Sequence, residues 1–366
     1  VTKFYLPYAI YGETYELGLG FVYAETGRFQ EQLGLYGTVL GSSNGTFHTI
    51  FGFSDARLPG TERWYTSGFG SIGSFSNLRA YVDGNPDYPD EVAGSNDSDP
   101  NDFIRGEALE GWLVVPFRYV LPIGGGKETP HTYVLDRGIL AESSTYADVW
   151  NPMKSGRTYA IIEPFYRRQE FKQAPERGRI STNGVALKFA YDNTDFRRNP
   201  GRGSRQVLSM AMDPGVGDSS GSWTTVGAEL SKYIPLAPSG WQRHRVLALD
   251  FWTMDTPGWS ETETANGVVR SNNPPYFLGA TLGGQRHLRA FPAARFNDKA
   301  AIYYAAEYRV IPSWQPLPRA QELRRLEIDW WQLAAFAEVG RVSGSWNLPE
   351  LHTDMKWVVG VGLRVM

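Results

Sequence analysis

Residues 355–366, MKWVVGVGLRVM, show the pattern on which the prediction of the fold rests. Five large apolar side chains share one face of it: Trp357, Val359, Val361, Leu363 and Val365. The other face carries small or charged residues, at Lys356, Gly360, Gly362 and Arg364. Because successive side chains of a β-strand point to opposite faces, this period of two predicts a strand with one apolar side.

The same alternation recurs along the whole chain. Fourteen segments show it: 15–24, 31–40, 46–53, 63–75, 105–121, 131–143, 157–171, 184–192, 204–212, 222–234, 245–254, 299–310, 326–339 and 355–366. Gly, Asn, Asp, Ser and Pro dominate the segments between them, as in 41–45, 83–102, 194–203 and 213–221. These residues form turns, and only 319–325 has the pattern of a helical turn. The sequence therefore predicts an all-β protein.

Composition excludes several classes of protein. With 36 basic and 39 acidic residues the formal charge is −3, which argues against a nucleic-acid binder that depends on phosphate attraction. The chain has no cysteine, so a disulfide scaffold and cysteine-based zinc or thiolate chemistry are excluded. Nowhere do apolar residues run for the roughly 18 positions that a membrane helix needs.

Strand length and aromatic placement favour a membrane barrel over a soluble sandwich. The segments are about ten residues long, which is the length of a membrane-spanning strand, whereas soluble strands average about five to six. Aromatic pairs lie near segment ends, at Trp64-Tyr65, Tyr303-Tyr304 and Trp330-Trp331, as interfacial girdles require. A large soluble β-sandwich would also have one apolar face per strand, so this alternative stays open.

Several ordered motifs resemble one family. Residues 191–203 contain Asp192, Asp195, Pro200 and Gly203 in the order of a family turn between the eighth and ninth strands, with Thr194 where Arg is common. Residues 282–291, LGGQRHLRAF, resemble the signature of the sixth extracellular loop, with Ala290 where Gly is usual. Residues 307–309, 336–340 and 360–364 resemble the twelfth to fourteenth strands. The chain thus resembles the BamA/TamA-like bacterial surface-antigen superfamily of outer-membrane insertase and transporter barrels.

The resemblance implies the architecture in some detail. Family members are transmembrane antiparallel β-barrels of sixteen strands in the bacterial cell outer membrane. About fourteen strands are expected here, in one barrel domain over residues 1–366, truncated at both ends. The long loop of about residues 255–296, between strands 11 and 12, is expected to enter the lumen.

The resemblance also implies a latch for this loop. Arg289 and Phe291 would lie at the loop tip, and Arg289 would pair with acidic residues of the inner wall, where Glu307 and Glu338 are the candidates. A guanidinium offers a rigid fork of donors that suits two carboxylates. The alternative is that Arg289 is an ordinary solvated loop arginine.

Catalytic and metal motifs are weak. Residues 217–221 and 41–45 both fit G-x-S-x-G, and 68–73 fit G-x-G-x-x-G, but none has the strand–turn–helix context that the chemistry needs. Strand glycines beside lumenal neighbours explain 68–73. The five histidines are scattered, and the acidic run 96–102 is interpreted as a solvated loop rather than a calcium site. No catalytic residue, metal or cofactor is predicted.

Function remains open between related roles. The first hypothesis is a non-enzymatic barrel that inserts or translocates other proteins. The alternatives are a structural barrel that anchors an outer-membrane assembly, and the barrel of a protein with a patatin-like passenger. The expected partners are outer-membrane lipids and other outer-membrane or periplasmic proteins, and no nucleic acid.

Overall fold

A computed structural model describes residues 1–127, 133–136, 139–143, 149–172, 178–264, 267–314 and 331–365. Its strands are β1 (Thr2–Gly12), β2 (Glu16–Thr26), β3 (Gly34–Ser42), β4 (Phe47–Arg57), β5 (Trp64–Ala80), β6 (Ile104–Val114), β7 (Phe117–Val120), β8 (Tyr133–Asp136), β9 (Ile139–Ser143), β10 (Arg157–Phe171), β11 (Arg179–Asp192), β12 (Gly203–Pro214), β13 (Ser222–Leu236), β14 (Gln242–Asp255), β15 (Ser260–Thr264), β16 (Gly267–Ser271), β17 (Ala280–Leu282), β18 (Phe296–Asp298), β19 (Ala300–Pro312), β20 (Trp331–Ser343) and β21 (Lys356–Val365). A 3₁₀-helix (Gly124–Lys127) and the one-turn α1 (Leu348–Leu351) complete the described elements. Neither helix has the length or apolar character to cross a membrane.

One large antiparallel sheet contains most of these strands. Its order is β1-β2-β3-β4-β5-β6-β10-β11-β12-β13-β14-β19-β20-β21, so chain neighbours are sheet neighbours almost throughout. The short β7 also joins the sheet, where it pairs with β5 and β10 beyond the end of β6. Three separate hairpins are β8–β9, β15–β16 and β17–β18. The prediction of an all-β fold is confirmed.

Two strand predictions were wrong. The described parts of the segment 131–143 do not belong to the wall, because among the described residues β8 and β9 pair only with each other. Conversely, β1 was not counted as a segment of its own, although it pairs with β2 from Thr2 to Gly12. Its sequence, TKFYLPYAIYG, has apolar residues on both faces and Pro7, so the period of two is hidden. The segment 105–121 holds as one wall segment: β6 and β7 pair with β5 and β10 in one register, and across the gap between them the amide of Val115 donates to the carbonyl of Pro164 at 3.0 Å.

The outer face of the sheet is apolar. On β21, Trp357, Val359, Val361 and Leu363 are 69%, 66%, 86% and 63% exposed. Large exposed apolar side chains elsewhere in the sheet include Leu19, Phe21, Ile72, Leu113, Leu187, Phe189, Leu208, Leu230 and Leu249. A surface of this kind on strands of this length matches the lipid-facing band of a membrane barrel.

The inner face of the sheet is polar and paired. Lys188 Nζ lies 2.6 Å from Glu163 Oε1 on the neighbouring strand, and Arg205 lies 3.0 Å from Glu229. Charged residues on the inner face and apolar residues on the outer face are the reverse of a soluble sandwich, whose inner faces enclose a dry apolar core. The membrane-barrel prediction therefore holds over the soluble alternative.

The sheet curves so that its distant parts meet. Asn96, in the connection between β5 and β6, donates to the carbonyl of Asp354, just before β21, at 3.2 Å. Lys356 Nζ lies 3.4 Å from Asp97 in the same region. At this end, Arg295 of the long loop donates to Ser98. The connection 81–103 joins the fifth and sixth strands of the sheet order, and it lies at the same end of the sheet as the long loop.

The long loop, residues 256–299, lies between β14 and β19, the eleventh and twelfth strands of the sheet order, as predicted. Its β17–β18 hairpin presses an apolar cluster against the inner wall. The buried members are Trp252, Ala280, Leu282, Leu288, Phe296, Ala301, Tyr303, Val342 and Val358. The loop is thus seated inside the sheet.

Candidate functional site

Strand alternation brings two carboxylates to the inner wall. Glu307 on β19 and Glu338 on β20 both point inward, and they are 6% and 2% exposed. The register pairs Glu338 with Ala305 and Glu307 with Phe336, so the two carboxylates are diagonal neighbours on the same face. A single cation in front of this wall can reach both.

The tip of the long loop is a tight turn that presents Arg289. The amide of Gly283 donates to the carbonyl of His287 at 2.8 Å, and the amide of Gly284 donates to that of Phe291 at 2.9 Å. Gly283 has φ +105°, and a Cβ there would lie 2.1 Å from the carbonyl oxygen of Pro292, so only glycine fits. Ala290 is not among the positive-φ residues, so its departure from the family's glycine does not disturb the backbone.

Arg289 contacts both carboxylates. Its Nε donates to Glu338 Oε1 at 2.5 Å, and its backbone amide donates to Glu338 Oε2 at 2.7 Å. Both terminal nitrogens reach Glu307 Oε2 at 3.2 Å. The guanidinium also lies over the ring of Phe336, 3.6 Å from its centroid. The structure therefore brings the predicted Arg289, Glu307 and Glu338 together.

Phe291 supports the turn rather than the ion pair. Its ring packs edge-on against Phe296 at 5.0 Å and lies against the apolar cluster of the loop. This contact anchors the residues that follow Arg289. The four predicted residues therefore divide into a polar set and one apolar support.

Sequence reasoning missed four members of the polar network. Arg309 Nε donates to Glu307 Oε1 at 2.6 Å, and Arg364 on β21 donates to the same oxygen at 2.8 Å. Tyr303 donates to Glu338 Oε1 at 3.0 Å, and Arg364 also donates to Gln332 at 3.2 Å. These residues have the inward parity of the two glutamates, and that signal could have found them.

His287 is held between aromatic rings beside the latch. Its ring lies 4.4 Å from that of Trp252 and 4.7 Å from that of Tyr303. Burial, helped by the charge of Arg286, lowers the pKa of this loop histidine to about 4. His287 is therefore neutral at physiological pH.

The predicted turn between β11 and β12 is built around its aspartates. Asp195 Oδ1 accepts the backbone amides of Phe196, Gly201 and Arg202, at 2.8, 2.9 and 3.3 Å. Asp192 Oδ1 accepts both the amide and the hydroxyl of Thr194. Thr194, where the family has Arg, thus stabilises the turn locally.

This turn also approaches the latch network. Gly203 has φ +100°, and a Cβ there would lie 2.4 Å from the carbonyl oxygen of Asn193. The carbonyl of Pro200 accepts from Arg309 at 3.5 Å, and Asn199 accepts from Gln332 at 3.4 Å. The two predicted sites therefore belong to one connected polar region.

The weak motifs have structural explanations. Residues 217–221 form the turn between β12 and β13, where Ser219 donates to Asp213. In 68–73, a Cβ on Gly68 or Gly70 would clash with Phe53 or Phe51 on the outer face, so the expected lumenal neighbours were wrong for these two glycines. In the described ranges, no three His, Asp or Glu side chains are placed to hold a metal ion.

The fold and site together define an outer-membrane β-barrel with a loop seated in its lumen. The Omp85 superfamily domain matches residues 143–366, and the chain belongs to that superfamily. Its bacterial outer-membrane location follows from this membership. A search of curated proteins finds no match.

Solved structures share the fold at low identity. CdiB from Acinetobacter baumannii matches with TM-score 0.52 and 10% identity, over 100% of this chain and 53% of that chain. BamA from Haemophilus ducreyi lacking POTRA domains 1-3 matches with TM-score 0.48 and 12% identity, over 99% of this chain and 63% of that chain. The chain thus spans less than two thirds of the length of either structure.

Proposed function

We propose that this chain is the barrel of a non-enzymatic protein that inserts or translocates other proteins at the outer membrane. The observation that carries the proposal is the seating of the long loop by Arg289 against Glu307 and Glu338. A loop held across the lumen makes a plugged barrel rather than an open pore. A plugged barrel suits the handling of folding or unfolded polypeptides better than diffusion of small solutes.

The ion pair of the latch is strong enough to hold the loop, and its free energy is small enough for the loop to be released. The side chain of Glu338 is 0% exposed and that of Arg289 is 29% exposed, so the pair is only partly desolvated. Breaking a fully buried ion pair by removing one partner costs about 3–5 kcal/mol, and partial exposure reduces this. A client protein that contributes a few kcal/mol of binding could therefore displace the loop.

Glu307 ties the loop to the wall at several points. It accepts from Arg289 of the loop, from Arg309 of its own strand and from Arg364 of β21. Displacement of Arg289 leaves Glu307 paired with two other guanidinium groups, so the wall stays intact when the loop moves. This supports a loop that moves as a unit while the strands remain paired. Client strands would then add to a strand edge by β-augmentation.

The test replaces the chromosomal copy with Arg289→Ala in the full-length protein in its own bacterium. We expect lower amounts of folded outer-membrane β-barrels, seen by heat-modifiable mobility on gels, or of surface-displayed substrates. Arg286→Ala is the matched control, because Arg286 is an exposed loop arginine three residues away.

Two outcomes would contradict the proposal. If depletion of the whole protein leaves every other outer-membrane and secreted protein unchanged, insertion and translocation are excluded. If depletion instead removes only a set of copurifying subunits from the membrane, the anchoring role takes the place of the proposed one.

A further inference from the structure

A groove of about 940 Å³ crosses the outer face of the barrel wall between β12 and β21. Two adjacent cross-strand rows line it. The first row runs Trp357–Val339–Tyr304–Phe251–Leu230–Gln206, and the second runs Val359–Ala337–Ala306–Leu249–Lys232–Ser204. Because residues directly opposite in antiparallel strands point to the same face, both rows face outward.

Small side chains form the floor of the groove. Ala306 and Ala337 are neighbours in the second row, while Tyr304 and Phe251 of the first row pack at 5.2 Å and form a ridge beside them. The rows cross six adjacent strands, and five spacings of about 4.8 Å give a length of roughly 24 Å. A straight acyl chain fits a shallow apolar channel of this length.

Lys232 lies at one end of the groove. It is exposed on the outer face, and among the described residues no carboxylate lies within ion-pair distance of its ammonium group. A lysine on a lipid-facing surface is unfavourable unless its flexible stem carries the charge to the headgroup region. The geometry places it four residues before the end of β13 at Leu236, roughly 13 Å along the strand.

The neighbours of Lys232 are also polar. Gln206 is close by in the other row, and its side chain accepts from Trp150 Nε1 at 3.0 Å. Trp150 packs edge-on against Tyr191 at 6.0 Å. An indole with its N–H bonded suits the interface between headgroups and acyl chains. The groove therefore has a polar end and an apolar body.

We propose that this groove is a phospholipid site, in which Lys232 binds the phosphate and an acyl chain lies over Ala306 and Ala337. The polar end is opposite to the long loop, on the side of the connection 237–241 between β13 and β14. Outer-membrane barrels have their longer loops outside the cell, and the long loop is the longest connection between neighbouring strands of the sheet. Lys232 therefore faces the periplasmic leaflet, which consists of phospholipids. The inference concerns the outer wall and does not depend on the proposed function.

The experiment uses the full-length protein in nanodiscs that contain phosphatidylglycerol with a photoreactive diazirine on one acyl chain. We expect cross-links concentrated at Leu249, Ala306 and Ala337. The variant Ala306→Phe fills the groove and should lower cross-linking there at least fivefold. Loss of one lysine–phosphate contact in Lys232→Gln should weaken binding about fivefold.

Matched controls separate a site from general lipid contact. Ala335→Phe adds the same bulk on the outer face of β20 outside the groove, and Lys172→Gln removes an exposed lysine elsewhere; neither should change the signal. If Ala306→Phe does not fold, Ala337→Leu serves as the second test of the groove. A diacylglycerol with the same photoreactive chain should label the groove about fivefold less than phosphatidylglycerol.

Three results would overturn the proposal. One is uniform labelling of the whole outer face, with β2 and β3 labelled as strongly as β19 and β20. Another is labelling of the groove that both Lys232→Gln and loss of the phosphate leave unchanged. The third is preferential recovery of lipid A rather than phospholipid at these positions.

Discussion

Replacement of Glu338 by glutamine should release the long loop. Glu338 accepts three hydrogen bonds, from the amide and Nε of Arg289 and from the hydroxyl of Tyr303. A glutamine of the same shape has one oxygen in place of two, so at least one donor is left without an acceptor. The positive charge of Arg289 also loses one of its two carboxylates.

The magnitude follows from these contacts. A hydrogen bond to a charged group contributes about 1.5–3 kcal/mol and a neutral one about 0.5–1.5 kcal/mol. Two bonds to Arg289 lose their charged acceptor, and its partial exposure keeps the change near the lower end of that range. We therefore expect Glu338→Gln to favour the released loop by about 2 kcal/mol, which raises its population about 30-fold.

Cysteine labelling can measure this change without background, because the chain contains no cysteine. Ala301 is 0% exposed and packs under the loop in the apolar cluster, so Ala301→Cys reports loop opening by its reaction with a maleimide. We expect the labelling rate to rise about 30-fold when Glu338→Gln is added. Glu163→Gln is the control, since it removes a lumenal ion pair with Lys188 away from the loop.

A labelling rate within twofold of the parent, in a Glu338→Gln variant that still folds and inserts, would contradict a latch formed by Arg289 and Glu338. It would mean that apolar packing alone holds the loop. In that case the latch would not be the element that controls the lumen.

Three further predictions concern the loop and the turn. The pKa of His287 is lowered to about 4 in the seated loop, against about 6.5 when the loop is released. The seated loop should therefore be fully stable above pH 6.5 and should lose at most about 3 kcal/mol of stability as the pH falls to 4. Proteolysis of the loop at each pH measures this dependence, which a His287→Phe variant should lose. Gly283→Ala should destabilise the loop by about 2 kcal/mol or more, because residue 283 has a positive φ and the added Cβ would clash with the carbonyl oxygen of Pro292. It should lower the temperature at which heat-modifiable mobility is lost, whereas Gly221→Ala, whose Cβ would lie in open space, should leave that temperature unchanged. Asp195→Ala should lower the same temperature, by about 2–3 kcal/mol of stability, because three backbone amides lose the side-chain oxygen that accepts them, while Asp195→Asn should retain most of the stability.

Much of the wall was predictable because alternation is a local signal. On β20, Leu333, Ala335 and Ala337 face outward and Gln332 and Glu338 face inward, as the period of two requires. The same signal failed for β1, where apolar residues occupy both faces. It also misled at 131–143, because a short hairpin alternates as a wall strand does and only pairing partners distinguish the two.

The candidate site was less predictable because its contacts are long-range. The loop motif indicated Arg289, but the number of arginines around Glu307 depends on which strands adjoin β19. Arg364 reaches Glu307 from a strand two places away in the sheet, 57 residues along the chain. No local sequence pattern predicts a contact between residues this far apart in the chain, although the alternation of β21 did place Arg364 on the inward face.

The most direct test of the central claim is a spin-label scan along β20, one residue at a time from 332 to 338. We expect labels at 333, 335 and 337 to collide with oxygen dissolved in the lipid and labels at the intervening positions not to do so. A scan without this period of two, or with water-soluble reagents reaching positions 333, 335 and 337, would contradict a wall that faces lipid on one side.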